Sequence, residues 1–443
     1  MKRQDMVETE LPEQGVVFWP VGTGDSTTIV LGGELVLQVD LRDMKAADEK
    51  NAVVAAVIDL LAETLPCPDR FGGETPYLAV FALTHADSDH CCGFGDLLDS
   101  DILIGEIWAT PRLWREISED QTMCEDARLS QDEVERRVAA TLEALENGKE
   151  PDSGDRVRII GYDDDRDQHS YSELPDEYFT FPGQTITSVD GTDLSETFEA
   201  FVHAPFKGDC AGERNETSLA LQIRMHTGDG TMGRLLLLGD LAYPTIKKIF
   251  DNSEYYGNTD RVEWDVLLSP HHCSKKVMYA KGDDGEEELK QDILDQFETY
   301  ASADARVIAS SRPFRDQDEK GHNPPHLLAR DAYEKVTALP MLCTGEYPTS
   351  DERQPVVFAL EPFLGFELVD VAELECKSLV MHAAGGGRRI LAGLGTARFP
   401  AASFTATTAP LPSPRGAEAA RSAVEQARGD KAAPATSLGF GDA

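Results

Sequence analysis

The stretch "LTHADSDHCCGFGDLL", residues 83–98, places potential metal ligands directly after the apolar run "YLAVFAL". These ligands are His85, Asp87, Asp89 and His90. A metal ion bound for hydrolysis needs nitrogen and carboxylate donors that converge on one point and leave a position open for water. A loop that leaves a strand can supply them, and two pairs of ligands indicate two ions. The alternative interpretation is a polar turn in an acidic chain.

The whole chain is acidic. Its 443 residues include 80 Asp and Glu against 41 Lys and Arg, a formal net charge of −39. Such a surface repels polyanions, so strong non-specific nucleic-acid binding is not expected. A phosphate-cleaving site remains compatible with this charge, because bound divalent ions dominate the field around them. Eight cysteines without a CxxC pair do not indicate a disulfide framework or a Cys-rich zinc module.

Composition also predicts how the chain is organised. One main domain is expected over residues 12–370, then a C-terminal extension over 371–404 and a disordered tail over 405–443, which is rich in Ala, Ser, Thr and Pro. Residues 112–200 are irregular and acidic, and are interpreted as an insertion or lid, or as a surface excursion without function. One helix stands out there, "SQDEVERRVAATLEALENG", whose Ser130 and Glu133 predict a capping box at its start.

Strands and helices alternate along the main domain, with hairpin-like blocks near residues 16–40 and 217–240. This order predicts an α/β fold of two mixed sheets packed face to face with helices outside, an αββα four-layer sandwich and not a doubly wound parallel sheet. No basic and apolar leader is visible in "MKRQDMVETELPEQG", and no apolar run is long enough to span a bilayer. A cytoplasmic protein without a membrane span is therefore expected.

Five further motifs accompany the His-Asp loop: "PVGTGDSTTIV", "NETSLAL", "LLGD", "HHCS" and "GHNPPH". In order and type, the set resembles the metallo-β-lactamase superfamily with its H-x-H-x-D-H signature. Asp87 stands in place of the second histidine, and this departure makes the chain similar to the metallo-β-lactamase-type domain of the ComEC family of DNA-uptake proteins. The matching pieces extend from about residue 16 to 335. Without a transmembrane segment, the chain looks like a stand-alone relative of the hydrolase domain.

The resemblance implies roles for residues outside the loop. Asp240 is expected to bridge two metals, and His272 to bind the second metal, with His271 as its neighbour or alternative. Asp40 is expected to orient a ligand histidine from behind. Asn215 lies 25 positions before Asp240, where the superfamily usually has a third histidine for the first metal.

The first metal position is therefore the least usual part of the predicted site. Asn215 could be a weak ligand or could position water or substrate, and His203 is the alternative contact. Because Asp87 and Asn215 replace imidazoles, this position is rich in oxygen. Two divalent ions are expected, with zinc as the leading candidate and Mn²⁺ or Mg²⁺ as alternatives.

The function implied is metal-dependent hydrolysis of a phosphodiester, in single-stranded DNA or a nucleotide. Asp89 is expected to orient or deprotonate the attacking water, and His322 to protonate the leaving oxygen. The acidic surface favours a short substrate. Because a fold does not fix a substrate, hydrolysis of an ester, lactone or thioester is an alternative. A third hypothesis is a non-catalytic metal-binding module of a multi-gene defence or stress system, which binds a protein partner through the acidic insertion.

Overall fold

The computed structural model describes residues 11–44, 54–114, 123–162, 166–206, 214–282 and 285–369. Contacts divide the chain into two units, Met1–Leu379 and Val380–Ala443, and the second lies outside the described residues. The predictions of an extension over 371–404 and of a disordered tail over 405–443 also fall outside them.

Two mixed β-sheets form the centre of this unit. The strands of the first sheet, in spatial order, are β20 (Gly365–Val369), β19 (Val356–Glu361), β1 (Gly15–Phe18), β2 (Thr27–Gly32), β3 (Leu35–Val39), β4 (Tyr77–Ala82), β5 (Leu103–Ala109), β6 (Arg156–Ile160) and β7 (Phe179–Thr180). Neighbours from β3 to β7 run parallel, and the other pairs are antiparallel.

The second sheet has the same mixed character. Its strands, in spatial order, are β18 (Leu342–Cys343), β17 (Ala301–Ala309), β14 (Trp264–Leu268), β13 (Met232–Leu237), β12 (Ala220–His226), β11 (Phe198–Ala204) and β8 (Thr185–Ile186). Neighbours from β13 to β18 run parallel, and the remaining pairs are antiparallel. Two small antiparallel pairs lie outside these sheets: β9 (Ser188–Val189) with β10 (Thr192–Asp193), and β15 (Tyr279–Lys281) with β16 (Glu287–Leu289).

The helices pack on the outer faces of the two sheets. They are α1 (Val57–Thr64), α2 (Ser88–Cys91), α3 (Phe94–Leu98), α4 (Glu125–Glu146), α5 (Tyr243–Tyr256), α6 (Gln291–Tyr300) and α7 (Leu327–Tyr333). None of the helices in the described ranges combines the length and the apolar character that a membrane crossing requires.

Three apolar layers separate these elements. The layer between the sheets includes Val80 and Leu235. Phe81 and Phe94 belong to the layer between the first sheet and its helices, and Phe250 belongs to the layer on the second sheet. Strand β4 is buried on both faces, which explains why its sequence is a continuous apolar run. The predicted αββα sandwich is thereby confirmed.

The region 112–200 is more regular than its sequence indicates. Strands β6 and β7 extend the first sheet, and α4 packs against that sheet through Val134 and Val138. The predicted capping box is wrong: the helix begins at Glu125, and the Ser130 hydroxyl donates to the Asp126 carbonyl oxygen inside the helix. The apolar face continues a turn earlier than the Ser-x-x-Glu pattern indicates. That the region acts as an insertion or lid stays a prediction.

Candidate metal centre

Strand ends bring the predicted site residues to one edge of the sandwich. In the first sheet, β3 and β4 are parallel neighbours, so Asp40 and His85, which follow them, lie close together. In the second sheet, β13 and β14 are parallel neighbours, and they deliver Asp240 and His271. Sites in open α/β sheets form at such carboxyl ends because side chains from neighbouring strands converge there.

The carboxylate of Asp240 lies at the centre, and its two oxygens face different side chains. Oδ1 lies 3.2 Å from Nε2 of His90 and 3.6 Å from Nε2 of His272. Oδ2 lies 3.9 Å from Nε2 of His85 and 3.8 Å from Nε2 of His271. A carboxylate that offers one oxygen to each of two donor groups has the geometry of a ligand that bridges two cations.

The two remaining acids of the His-Asp loop divide between these groups. Oδ2 of Asp89 lies 3.3 Å from Nε2 of His272, and Oδ2 of Asp87 lies 3.7 Å from Nε2 of His85. Both carboxylates are partly exposed. We therefore distinguish two groups around Asp240. The first group is His85, Asp87, Asn215 and His271; the second group is Asp89, His90 and His272.

Asn215 lies inside the first group. Its Nδ2 is 3.4 Å from Oδ2 of Asp240 and 3.4 Å from Nε2 of His271. The amide thus occupies the side of Asp240 where the resemblance implies the third ligand of the first metal. The imidazole of His271 occupies the same side, which the sequence did not indicate.

Two carboxylates hold the histidines of the second group from behind. Nδ1 of His90 lies 2.7 Å from Oδ2 of Asp40, and Nδ1 of His272 lies 3.2 Å from Oδ1 of Asp25. A carboxylate on Nδ1 fixes the ring orientation and leaves Nε2 as the donor for a metal. Both Nε2 atoms accordingly face Asp240. Asp40 thus contacts His90, and that it orients a ligand histidine stays a prediction.

The buried atoms at the centre fit a divalent cation. Asp25, His90, Asp240 and His272 can each offer a donor atom, and these atoms lie within 4.8 Å of one another. Within the described ranges, Nε2 of His85, His90 and His272 and Oδ1 of Asp240 are buried and have no hydrogen-bond partner. Buried polar atoms are normally paired. Imidazole nitrogens and carboxylate oxygens are the donors that zinc prefers, so the cluster could hold such an ion.

Charge interactions at the centre oppose the effect of burial. Burial would raise the pKa of Asp240, but the imidazoles of His272 and His90 hold that pKa well below its usual range. Burial would lower the pKa of His90, yet Asp240 and Asp40 raise it well above the usual value. Asp240 and Asp25 likewise raise the pKa of His272 to about 10 against its burial. Protons on these two rings therefore balance the buried carboxylates, and a cation would have to displace them.

His271 differs electrostatically from its neighbour. Burial is the largest influence on its ring and lowers the pKa of His271 to about 4, although Asp240 acts in the opposite direction. The ring is thus neutral near pH 7, the state in which an imidazole can bind a metal.

An unusual turn, Pro270–Cys273, directs both histidines towards Asp240. His271, His272 and Cys273 have φ values of 50°, 53° and 64°, a left-handed conformation that costs non-glycine residues roughly 1–2 kcal/mol each. Backbone hydrogen bonds hold the turn: the His271 N–H donates to the Gly239 carbonyl, and the His326 N–H donates to the Cys273 carbonyl. The turn places adjacent imidazoles on opposite sides of one carboxylate.

The late segment "GHNPPH" contacts this turn through its second histidine. His326 is buried, and its Nδ1 accepts the Lys275 N–H at 3.3 Å. The ring of His322 lies instead against Glu319, with Nε2 3.1 Å from Oε2. His322 is therefore not one of the side chains that meet at Asp240, and its predicted part in catalysis stays a prediction.

His203 lies away from the centre. Its Nε2 is 2.8 Å from the Arg261 carbonyl oxygen, and burial lowers the pKa of His203 to about 4. Along β11, Ala200 and Val202 face the other sheet, so His203 points to the outer face. His203 is therefore not one of the side chains that meet at Asp240, and its predicted contact with the first metal or the substrate stays a prediction.

Two residues at the centre were missed by sequence reasoning. One is Asp25, in the motif "GTGDS". The other is Ser218 in "NETS", whose hydroxyl lies 3.2 Å from Nδ1 of His85 and accepts the Asp240 N–H at 3.2 Å. Asp25 and Ser218 both lie in motifs that carry the resemblance, "PVGTGDSTTIV" and "NETSLAL", and this was the signal that could have identified them.

No protein-family model and no curated protein sequence matches the chain. Among solved structures, the chain is similar to the crystal structure of the metallo-β-lactamase MIM-1 from Novosphingobium pentaromativorans. The sequence identity is 11% and the TM-score is 0.28, over 60% of this chain and 78% of that chain. A likeness at this level is no argument for an activity, and the four-layer architecture rests on the sheets and apolar layers described above.

Proposed function

We propose that the protein is a phosphodiesterase that uses two divalent metal ions and acts on short single-stranded nucleic acid or a nucleotide. The observation that carries the proposal is the position of Asp240, whose two oxygens face two separate groups of metal-ligand side chains. The resemblance of the motif set to the ComEC-type domain favours a phosphodiester. The net charge of −39 favours a short substrate over a long duplex.

In this proposal each group would hold one ion, and Asp240 would contribute a carboxylate oxygen to each group. The second group, with two imidazoles and Asp89, suits zinc. The first group includes the carboxylate of Asp87, so it also suits Mn²⁺ or Mg²⁺. When bound, such ions lower the pKa of water and offset charge on the phosphate oxygens.

The side chains of the protein orient the reactants and move protons. Asp89 is the more exposed of the two loop carboxylates, 35% against 21% for Asp87, and it would orient or deprotonate the attacking water. The amide of Asn215 would donate to a phosphate oxygen. His322 is retained as the proton donor to the leaving oxygen, supported by the resemblance and by the contact of its segment, through His326, with the Pro270–Cys273 turn.

Arg312 provides an exposed positive charge next to Gly22 and Thr23, in the loop that carries Asp25. Its backbone N lies 3.5 Å from the Thr23 hydroxyl, and its side chain covers Gly22, where an added Cβ would lie 3.8 Å from the Cγ and Nε atoms of Arg312. In the same loop, the Asp25 N–H donates to the Asp89 carbonyl oxygen at 3.0 Å. The exposed guanidinium makes no ion pair with any residue that the structure describes. It is assigned to bind a phosphate next to the one that is cleaved, a group that a neutral ester and bis(p-nitrophenyl) phosphate both lack.

The test compares substrates on metal-reconstituted protein. Zinc- or manganese-loaded wild type is expected to cleave bis(p-nitrophenyl) phosphate and a labelled single-stranded oligonucleotide. Asp240→Asn should lower both rates by more than about 100-fold, the upper end of what losing an outer partner costs a metal site. Asp304→Asn, at an exposed position on β17, is the matched control and should change neither rate.

Two outcomes would overturn the proposal. Hydrolysis of p-nitrophenyl acetate without cleavage of either phosphodiester would indicate an ester hydrolase. Metal-loaded wild type that turns over none of the three substrates would indicate a non-catalytic metal-binding module.

A further inference from the structure

Two cysteine side chains meet where the metal loop, residues 83–98, contacts the start of α4. Cys91 follows His90 in α2, and Cys124 is the N-cap of α4. Their Sγ atoms lie 3.5 Å apart, although 33 positions separate them in the chain. Cys91 is buried and Cys124 is half-buried, and both are free thiols.

The surroundings of Cys124 favour its thiolate. The hydrogen bond with Cys91 has the largest effect and lowers the pKa of Cys124 to about 6, and the amides of Ala127 and Asp126 act in the same direction. These amides belong to the first turn of a 22-residue helix, where unpaired N–H groups stabilise negative charge.

We propose that Cys91 and Cys124 are an oxidisable dithiol that peroxides convert into a disulfide. The sulfur of Cys124 attacks one peroxide oxygen and the O–O bond breaks. The second oxygen takes up the proton that Cys124 has released and leaves as water. The product is a sulfenic acid at Cys124. The sulfur of Cys91 then attacks that sulfur, and the hydroxyl leaves as water with the Cys91 proton. In total, two thiols and hydrogen peroxide give one disulfide and two waters.

The geometry requires only a short movement. The sulfurs must approach from 3.5 Å to about 2.05 Å, the length of a disulfide bond. The two elements are already in contact, since the carboxylate of Asp126 accepts the N–H groups of Gly93 and Gly95 at 3.1 and 2.8 Å. A disulfide would add a covalent link between the metal loop and α4.

The experiment treats the full-length, metal-loaded protein with one equivalent of hydrogen peroxide, alkylates the remaining thiols and maps tryptic peptides by mass spectrometry. Cleavage after Arg112 and Arg115 separates the two cysteines. We expect a cross-linked Cys91–Cys124 peptide pair that has lost two hydrogens, while the exposed Cys67 is alkylated.

Two variants identify the partners. Cys124→Ser should abolish the cross-link and leave Cys91 alkylatable after denaturation. Cys92→Ser, the matched control, should keep the cross-link. Alkylation of both Cys91 and Cys124 in wild type while Cys67 is oxidised would overturn the proposal, as would a cross-link that disappears in Cys92→Ser. Neither readout depends on catalytic activity.

Discussion

Asp40 and His90 lie 2.7 Å apart, from Oδ2 to Nδ1, although 50 positions separate them in the chain. Asp40 has a left-handed backbone, with φ 56°, and Gln38 supports it through a hydrogen bond from Nε2 to the Asp40 carbonyl oxygen at 2.6 Å. The Thr84 N–H and hydroxyl donate to the same carboxylate. Asp40 does not contact Asp240, but through Nδ1 of His90 it directs Nε2 of that ring towards Asp240.

Replacing Asp40 should weaken metal binding. Asp40→Asn keeps the shape of the side chain but removes the charge that holds the His90 ring, so the affinity for zinc should fall about 10- to 100-fold. Competition with a chromogenic chelator measures this affinity, and Asp304→Asn serves as the surface control. Equal affinities for Asp40→Asn and wild type would mean that Asp40 does not orient His90 for a metal.

The two adjacent histidines should bind different ions. Because His271 belongs to the first group and His272 to the second, His271→Gln and His272→Gln should each reduce the metal content from two equivalents to one. Elemental analysis of the purified variants gives the count. His203→Gln should keep both equivalents, since His203 lies away from the centre. A full complement of metal in His271→Gln would exclude its imidazole as a ligand.

Arg312 should affect binding of a long substrate more than a short one. Loss of a charge-assisted phosphate contact at an exposed position should raise the KM for an oligonucleotide about tenfold in Arg312→Gln. Metal content and the rate with bis(p-nitrophenyl) phosphate should not change. The control is Arg306→Gln, near the middle of β17, where the guanidinium donates to the Pro340 carbonyl. An equal rise in KM for Arg306→Gln would indicate a general charge effect.

Acid should destabilise the fold through His203. The pKa of His203 is about 4 in the folded protein, against 6.5 for the unperturbed group, because burial disfavours the charged form of the ring. The unfolded chain therefore binds a proton first, so stability is full above pH 6.5 and is lost as the pH falls towards 4, by up to about 3 kcal/mol. Urea unfolding of chelator-treated protein at several pH values measures this loss.

The comparison variant for this effect is His203→Gln, which can still donate to the Arg261 carbonyl. The difference in unfolding free energy between wild type and variant should shrink as the pH falls from 7 to 4. A difference that stays constant over this range would show that His203 does not titrate on unfolding.

Sequence reasoning worked best where one signal determined one element. The uninterrupted apolar run of β4 and the hairpin signals around residues 217–240 were enough to predict the sheets and their packing. The order of strands and helices predicted the layers. The loop that carries His85 and His90 was found because its ligands are close together in the sequence.

Other features depend on contacts that no local pattern encodes. Asp25 meets His272 across 247 positions, and only folding brings the two together. Strand β7 has two residues, too few for any alternation to be visible. Ser130 looked like an N-cap because a serine hydroxyl can accept a backbone N–H at a helix start or donate to a carbonyl one turn earlier inside a helix. The second bond forms here, since α4 begins at Glu125 and its first turn is partly buried.

The left-handed turn at His271, His272 and Cys273 has a consequence for how two ions would be spaced. One peptide unit joins a ligand of the first ion to a ligand of the second, so the main chain and not a pair of independent rotamers would set their separation. Exchanging one ion for a larger one would then displace the other. Selectivity at the two positions would be coupled, and a β-branched residue at 273, which resists a positive φ, would change the affinity of both.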